Sequence, residues 1–216
     1  MIRNLSDDRA VLHRPKITSR RLSLLLAFAM CALIADSGGV AADADAGKNK
    51  AEACVACHGE NGISQTENTP SLASLPDQFL QWQLVFFRTG ARKNETMAPI
   101  AEQLSNEDVR DLAAYFASLK PPDPSAAKAS DDHPELTGAG KKAAADGRCA
   151  SCHGDNHAGT KAVARIAGQR EEYLVKALHD YKSGLRSGGG VAAMAEVAYP
   201  LSEEEISALA HYLSRL

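Results

Sequence analysis

Two short segments hold the residues of this chain that are best suited to chemistry. They are residues 54–58 (CVACH) and 149–153 (CASCH), and they begin 95 residues apart. Two thiols three positions apart can each form a thioether with one vinyl group of a haem, and the histidine that follows then lies under the iron. The spacing therefore predicts two covalently attached haem c groups. The attachment residues are Cys54, Cys57, Cys149 and Cys152, and the first axial iron ligands are His58 and His153.

Cysteine pairs with this spacing also occur in other kinds of site. Such a pair can be a thioredoxin-like redox centre, or it can supply half of a zinc site. A redox centre of that kind belongs to a βαβ unit, and no segment of this sequence shows convincing strand alternation. A zinc site made from all four cysteines would leave the two adjacent histidines without a role. Haem attachment uses all six residues.

A second axial ligand is expected on the other face of each iron. Two of the four methionines lie in the first 42 residues, and the other two are Met97 and Met194. Met97 follows His58 by 39 residues, and Met194 follows His153 by 41 residues. A position in the hydrophobic core is the alternative for each methionine. The matched placement predicts that Met97 and Met194 are the second axial ligands.

Four further histidines are alternative iron ligands, namely His133, His157, His179 and His211. The first lies in a polar, proline-rich stretch, and the second lies only four residues after the histidine of its box. The last two align with Val85 and Ala114 in the first half of the chain, which cannot bind iron. We therefore expect all four to be surface histidines.

The chain after the first 42 residues is an internal repeat. Residues 71–92 align without gaps on residues 165–186, and residues 104–119 align on residues 201–216. Identical pairs include Leu80/Leu174, Gly90/Gly184, Arg92/Arg186, Ser105/Ser202 and Tyr115/Tyr212. A solenoid needs at least three units, so a repeat of two long units indicates duplicated domains.

Proline separates the two copies. The sequence PPDP occupies residues 121–124, and polar residues continue to Pro134. Proline fixes φ and cannot continue a helix, so residues 121–134 are predicted to be a semi-extended linker. The first domain is then expected at residues 46–120 and the second at residues 135–216.

Each copy is predicted to be helical. Ser105 and Ser202 are each followed three residues later by an acidic residue, which suits the start of a helix. Apolar periodicity predicts two further helices, Asp77–Arg88 and Glu171–Ser183, each ending near a glycine. The expected fold class is all-α, with about three to five helices in each small domain.

The first 42 residues have the plan of a secretory signal peptide. They carry a net charge of +3, and residues 22–35 form a mostly apolar stretch of 14 residues. This stretch is shorter than the ~20 residues that span a bilayer, and small residues follow it. We expect cleavage between residues 40 and 46 and export to the periplasm, with an uncleaved membrane anchor as the alternative. Residues 43–216 carry a net charge of −6 without a basic patch, which argues against a nucleic-acid partner.

The chain resembles tandem dihaem class I cytochromes c of the cytochrome c4 type over nearly all of residues 46–216. The resemblance is carried by the two boxes, residues 167–169 (AGQ), residues 97–100 (MAPI) and the two closing helices. It implies two small cytochrome c-like domains related by a pseudo-twofold axis, each wrapped around one haem with histidine and methionine ligands. In the family a proline carbonyl commonly orients the ligand histidine. Pro70 suits that role, whereas Ala164 takes the aligned place in the second copy.

The resemblance also implies periplasmic electron transfer, often to a haem-copper terminal oxidase. Because both axial positions are filled, we expect an electron carrier without enzymatic activity. Its donor would be a quinol-oxidising complex or a dehydrogenase, and its acceptor a terminal oxidase or reductase. One alternative is the cytochrome subunit of a periplasmic dehydrogenase complex, and another is a dihaem peroxidase. The second methionine loop carries the extra residues 187–190 (SGGG), so we expect a looser site at Met194 than at Met97.

Overall fold

The computed structural model describes residues 41–125, 129, 131–186 and 192–216. Residues 1–40 of the predicted signal peptide, which was expected over residues 1–42, and the inserted residues 187–190 lie outside this part of the chain. The helices of the described part are α1 (Ala44–Lys50), α2 (Glu52–His58), α3 (Asp77–Arg88), α4 (Met97–Glu102), α5 (Asn106–Ser118), α6 (Pro134–Asp146), α7 (Ala150–His153), α8 (Glu171–Lys182), α9 (Ala192–Ala198) and α10 (Glu203–Ser214).

The same order of five helices occurs in the first half, residues 44–120, and in the second half, residues 134–216. Within the described residues no strand forms, and the extended pairing is limited to two isolated bridges. The all-α fold class predicted from the sequence is therefore confirmed.

Serine side chains fix the start of the last helix in each half. The Ser105 hydroxyl accepts a hydrogen bond from the backbone N–H of Asp108, whose carboxylate accepts from the backbone N–H of Ser105. Ser202 and Glu205 form the same capping box at the start of α10. Each box satisfies two backbone donors that a helix otherwise leaves unpaired, as the sequence predicted.

The two longer inner helices also match their predictions. Helix α3 has the predicted bounds, and α8 ends one residue earlier than predicted. Gly90 and Gly184 follow the two ends with φ of 71° and 75°, a left-handed conformation that glycine adopts without strain.

The first and last helices of each half cross at a glycine. A Cβ atom on Gly47 would lie 2.0 Å from the backbone oxygen of Asp111, and one on Gly140 would lie 2.0 Å from that of Ala208. Only a residue without a side chain allows the backbones to approach this closely. The crossing joins α1 to α5 and α6 to α10.

A small apolar core lies beside each cysteine box. In the first half, Leu80, Leu112 and Phe116 are buried together, and Cys54 packs against this cluster. In the second half, Cys149 packs against a cluster that includes Ile206 and Leu209. The first cysteine of each box therefore faces protein interior. Among the described residues, no helix is both long enough and apolar enough to cross a bilayer.

Candidate cofactor sites

The two cysteine boxes have the same geometry. In the first box, Cys54 is half-buried and Cys57 is exposed, and in the second box Cys149 is half-buried and Cys152 is exposed. None of the four forms a disulfide within the described part of the chain. One turn of helix thus places one thiol against the core and the other toward solvent, with the histidine next to it.

The histidine of each box is buried and held through one ring nitrogen. His58 and His153 are 7% and 8% exposed. Nδ1 of His58 lies 2.8 Å from the carbonyl oxygen of Pro70, and Nδ1 of His153 lies 2.7 Å from that of Ala164. A carbonyl oxygen only accepts, so Nδ1 donates and the unprotonated nitrogen is Nε2. Nε2 makes no hydrogen bond to the described residues in either ring, which leaves it free to bind a metal.

Ala164 thus supplies the carbonyl that proline supplies in the first half. Its different side chain does not change the acceptor, because the backbone oxygen alone makes the bond. Such a carbonyl fixes the ring orientation and raises the basicity of the nitrogen that faces the metal.

Burial sets the protonation state of both histidines. It lowers the pKa of His58 and of His153, and the bond to each carbonyl offsets only part of this effect. Both rings are therefore neutral near pH 7, which is the form that binds metals.

Burial also raises the pKa of the thiols of Cys54 and Cys149. A reactive redox pair depends on a lowered thiol pKa, so this environment does not suit a thioredoxin-like centre. The zinc alternative also lacks support. Within the described part of the chain, no three residues among His, Cys, Asp and Glu are grouped so that they could hold a metal ion.

The two methionines lie at equivalent short helices. Met97 is the first residue of α4, and Met194 lies in α9. Both side chains are half-buried. The Oδ1 atom of Asn94 accepts hydrogen bonds from the backbone N–H groups of Thr96 and Met97, which fixes the start of α4.

Two of the four histidines expected at the surface are buried instead. His157 packs edge-on against Tyr212, with ring centroids 6.5 Å apart. His211 is 2% exposed, and its ring nitrogens lie 3.0 Å from Asp131 Oδ1 and 3.4 Å from Glu171 Oε2. The prediction was wrong for His211 because the segment containing Asp131 covers the helix face that carries it. His133 is exposed, as predicted, and His179 is partly exposed, with 42% of its side-chain surface accessible.

A polar cluster between the halves was not predicted as a unit. Gln83 Oε1 accepts hydrogen bonds from Arg92 Nη1 at 2.7 Å and from Arg186 Nη2 at 2.8 Å. Arg92 Nη2 also donates to the hydroxyl of Tyr173 at 3.1 Å. Each guanidinium lies over an aromatic ring of its own half, Phe87 and Tyr181. The alignment of the two copies shows that Arg186 corresponds to Arg92, but the sequence alone did not show that the two side chains share one acceptor.

The fold and the paired sites define a class of protein. Residues 44–120 and residues 138–216 each match the family described as Cytochrome c. The chain belongs to the cytochrome c family.

Several known proteins are similar to this chain over most of its length. Cytochrome c4 of Azotobacter vinelandii is 34% identical over 192 residues, which cover 82% of this chain and 90% of the relative. The thiosulfate dehydrogenase electron acceptor of Thiomonas intermedia is 34% identical over 173 residues, which cover 76% of this chain and 79% of the relative. The crystal structure of reduced recombinant cytochrome c4 from Pseudomonas stutzeri superimposes with a TM-score of 0.71 at 32% identity, covering 82% of this chain and all (100%) of that one.

The chain thus has two cytochrome c domains and carries two covalently bound haem c groups. The donor set fits this cofactor in both halves. Each box offers two cysteine thiols and one buried neutral imidazole whose Nε2 atom has no hydrogen bond to the described residues. The resemblance predicted from the motifs is confirmed, and the protein is a dihaem electron-transfer cytochrome.

Proposed function

We propose that this protein is a periplasmic electron carrier in which each half binds one haem through its own box. Cys54 and Cys57 form the thioethers of the first site, and Cys149 and Cys152 form those of the second. The axial ligands are His58 with Met97, and His153 with Met194. The observation that carries the proposal is that both box histidines are buried with Nδ1 bound to a carbonyl.

Haem iron supplies one-electron chemistry when it is bound. The chain's contribution is to hold each ligand in place and to leave no coordination position for a substrate. Pro70 and Ala164 orient the two imidazoles, and a thioether ligand raises the reduction potential relative to harder ligands. Filled axial positions favour electron transfer over oxygen or peroxide chemistry.

The net charge of the chain indicates the kind of partner surface that it fits. Residues 43–216 have a net charge of −6, which favours a partner with a basic docking surface. We propose a quinol-oxidising complex or a dehydrogenase as donor and a terminal oxidase or reductase as acceptor.

A second candidate is the cytochrome subunit of a dehydrogenase complex. The similarity to a thiosulfate dehydrogenase electron acceptor favours a sulfur-compound dehydrogenase as the donor in that case. Stable co-purification with a larger dehydrogenase would support this candidate, whereas a free carrier purifies alone.

The test is a potentiometric titration of mature protein from the periplasmic fraction, followed by its visible spectrum. We expect two low-spin haems with one-electron transitions at positive potential and a charge-transfer band between methionine and ferric haem. Met97→Ala and Met194→Ala should each remove one such haem and produce a high-spin one. His157→Gln is the control, because it changes a buried histidine outside the proposed ligand set. A high-spin haem in the unaltered protein would overturn the carrier proposal and favour an enzyme.

A further inference from the structure

One peptide group lies between the first ligand histidine and the second half of the molecule. Its carbonyl is that of Pro70, which accepts from His58 Nδ1 at 2.8 Å. Its N–H is that of Ser71, which donates to Oε1 of Gln169 at 2.8 Å. A single planar amide thus links a residue of the second half to the imidazole of the first site.

Gln169 is held firmly in this position. Its side chain is buried at 7% exposure, and its Nε2 atom donates to the carbonyl oxygen of Ser71 at 2.9 Å. Its Oε1 atom also accepts from the backbone N–H of Arg170 at 3.0 Å. The preceding residue, Gly168, donates its backbone N–H to Leu213 of α10 at 2.9 Å. The amide orientation of Gln169 is therefore fixed by donors and acceptors at both ends.

The second site has no such link. Its equivalent peptide joins Ala164 to Arg165, whose backbone N–H makes no hydrogen bond to the described residues. The first half has a loop that corresponds to the loop of Gln169, and its backbone is held in the same way. The Ser74 N–H donates to the carbonyl oxygen of Phe116, as the Gly168 N–H donates to that of Leu213. Leu75, however, stands at the position of Gln169, and its side chain has no polar atom.

A hydrogen bond to one end of an amide polarises the other end. When Gln169 accepts from the Ser71 N–H, the Pro70 oxygen becomes a better acceptor for His58. A stronger bond at Nδ1 increases the basicity of Nε2 and stabilises an oxidised metal bound there. From these contacts we infer that Gln169 is a positioning residue of the second half that strengthens the His58 ligand and lowers the reduction potential of the first haem alone. This inference rests on the proposed role of His58 as an axial ligand.

The test replaces Gln169 in the holoprotein and observes His58 directly. Gln169→Leu installs the residue that the first half carries at this position. We expect the Nδ1–H resonance of His58 to move upfield in NMR spectra of the reduced, nitrogen-15-labelled protein. We also expect the reduction equilibrium constant of that haem to rise, by up to about twofold for a cooperative effect of this size. The His153 resonance and the other haem should not change.

Gln169→Glu is the conservative variant. Its second carboxyl oxygen would lie where Nε2 of Gln169 donates to the Ser71 carbonyl oxygen, so the buried side chain keeps its proton, donates to that oxygen and still accepts from the Ser71 N–H. The His58 resonance should therefore return close to its place in the unaltered protein. Tyr173→Phe is the matched control, since it removes another contact between the halves, to Arg92, and gives Tyr173 the ring of its counterpart Phe79.

The outcomes separate this inference from the proposed function. If the unaltered protein shows two haems with histidine and methionine ligands but Gln169→Leu leaves the His58 resonance unchanged, the inference is wrong and the carrier proposal stands. An equal shift of that resonance in Tyr173→Phe would also overturn the inference. If His58 does not ligate a haem in the unaltered protein, both fail.

Discussion

Asp111 is a buried carboxylate that ties α5 to the start of the folded chain. Its Oδ1 atom accepts from the backbone N–H of Asp43 at 2.8 Å, and its Oδ2 atom accepts from Lys50 Nζ at 2.8 Å. Lys50 also contacts Asp108 at 2.7 Å. The second half has Ala208 at the equivalent position and forms no such pair. The two halves thus share a backbone plan but fasten their first helices differently.

The Asp111 contacts predict an acid-sensitive contribution to stability. The hydrogen bonds from the Asp43 N–H and from Lys50, in that order of importance, hold the pKa of Asp111 below its ordinary value. Hydrogen bonds from Lys50 and Ser105 lower the pKa of Asp108 from 3.8 to about 2. A lowered pKa in the folded state stabilises the protein above the ordinary value, and this contribution is lost as the pH falls toward 2. Asp111→Ala should therefore lower the Tm by several degrees at pH 7, and this difference should become smaller as the pH falls below the ordinary aspartate pKa of 3.8.

Thermal unfolding of the holoprotein, followed by circular dichroism at several pH values, measures this difference. Asp146→Ala is the control, because it breaks an exposed pair with Lys142 that contributes little to stability. Equal effects of the two substitutions, or a difference that does not depend on pH, would contradict the assignment.

At the scale of helices, the crossings of α1 with α5 and of α6 with α10 depend on glycine. Gly140→Ala would place a Cβ atom 2.0 Å from the backbone oxygen of Ala208, so the two helices must separate. Overpacking of this kind typically costs about 1–3 kcal/mol, and more where backbone must move. Gly138→Ala lies in the same helix with nothing within 4 Å of the added atom. It should stabilise the helix by roughly 0.5–1 kcal/mol.

Denaturant unfolding of the two variants measures this contrast, since they differ only in position along α6. A loss of stability in Gly138→Ala as large as that in Gly140→Ala would show that helix α6 itself, and not its crossing, is sensitive.

The helices that the sequence predicted are those with a strong local pattern. Ser105 and Ser202 gave the capped starts, and apolar periodicity gave α3 and α8 almost to the residue. Helices α1 and α6 have no such pattern, because glycine and alanine replace large apolar residues at their crossings. The boxes were visible because their chemistry depends on spacing along the chain.

At the scale of the whole molecule, the contacts between the halves could not be predicted. The cluster of Gln83, Arg92 and Arg186 joins residues that are up to 103 positions apart in the chain. No local sequence pattern indicates that their side chains come together. Gln169 was visible within a family motif, yet its bonds to Ser71 depend on how the halves pack. A repeat identifies two similar units, whereas their interface is a property of the assembled structure.

Tyr173 reports on that interface, because residues of both halves control its ionisation. Burial acts to raise the pKa of Tyr173, but the guanidiniums of Arg92 and Arg186 outweigh it and lower this pKa from 10.0 to about 8. Carbon-13 NMR of labelled tyrosine rings should show one residue that ionises with a midpoint of about 8, and Tyr173→Phe should remove it. Arg92→Gln, a change in the other half, should move the midpoint upward toward 10.

Tyr181→Phe is the matched control for this titration, since burial raises the pKa of Tyr181 and its counterpart in the first half is Phe87. This variant should keep the transition at about 8.

The lowered pKa of Tyr173 also makes the stability of the protein depend on pH, because the ionised form of Tyr173 is favoured in the folded protein. The stabilisation is complete above pH 10.0 and is lost as the pH falls through about 8, so the Tm difference between the unaltered protein and Tyr173→Phe should grow between these values. If Arg92→Gln leaves the midpoint of the Tyr173 ionisation unchanged, the halves do not meet at this cluster in solution.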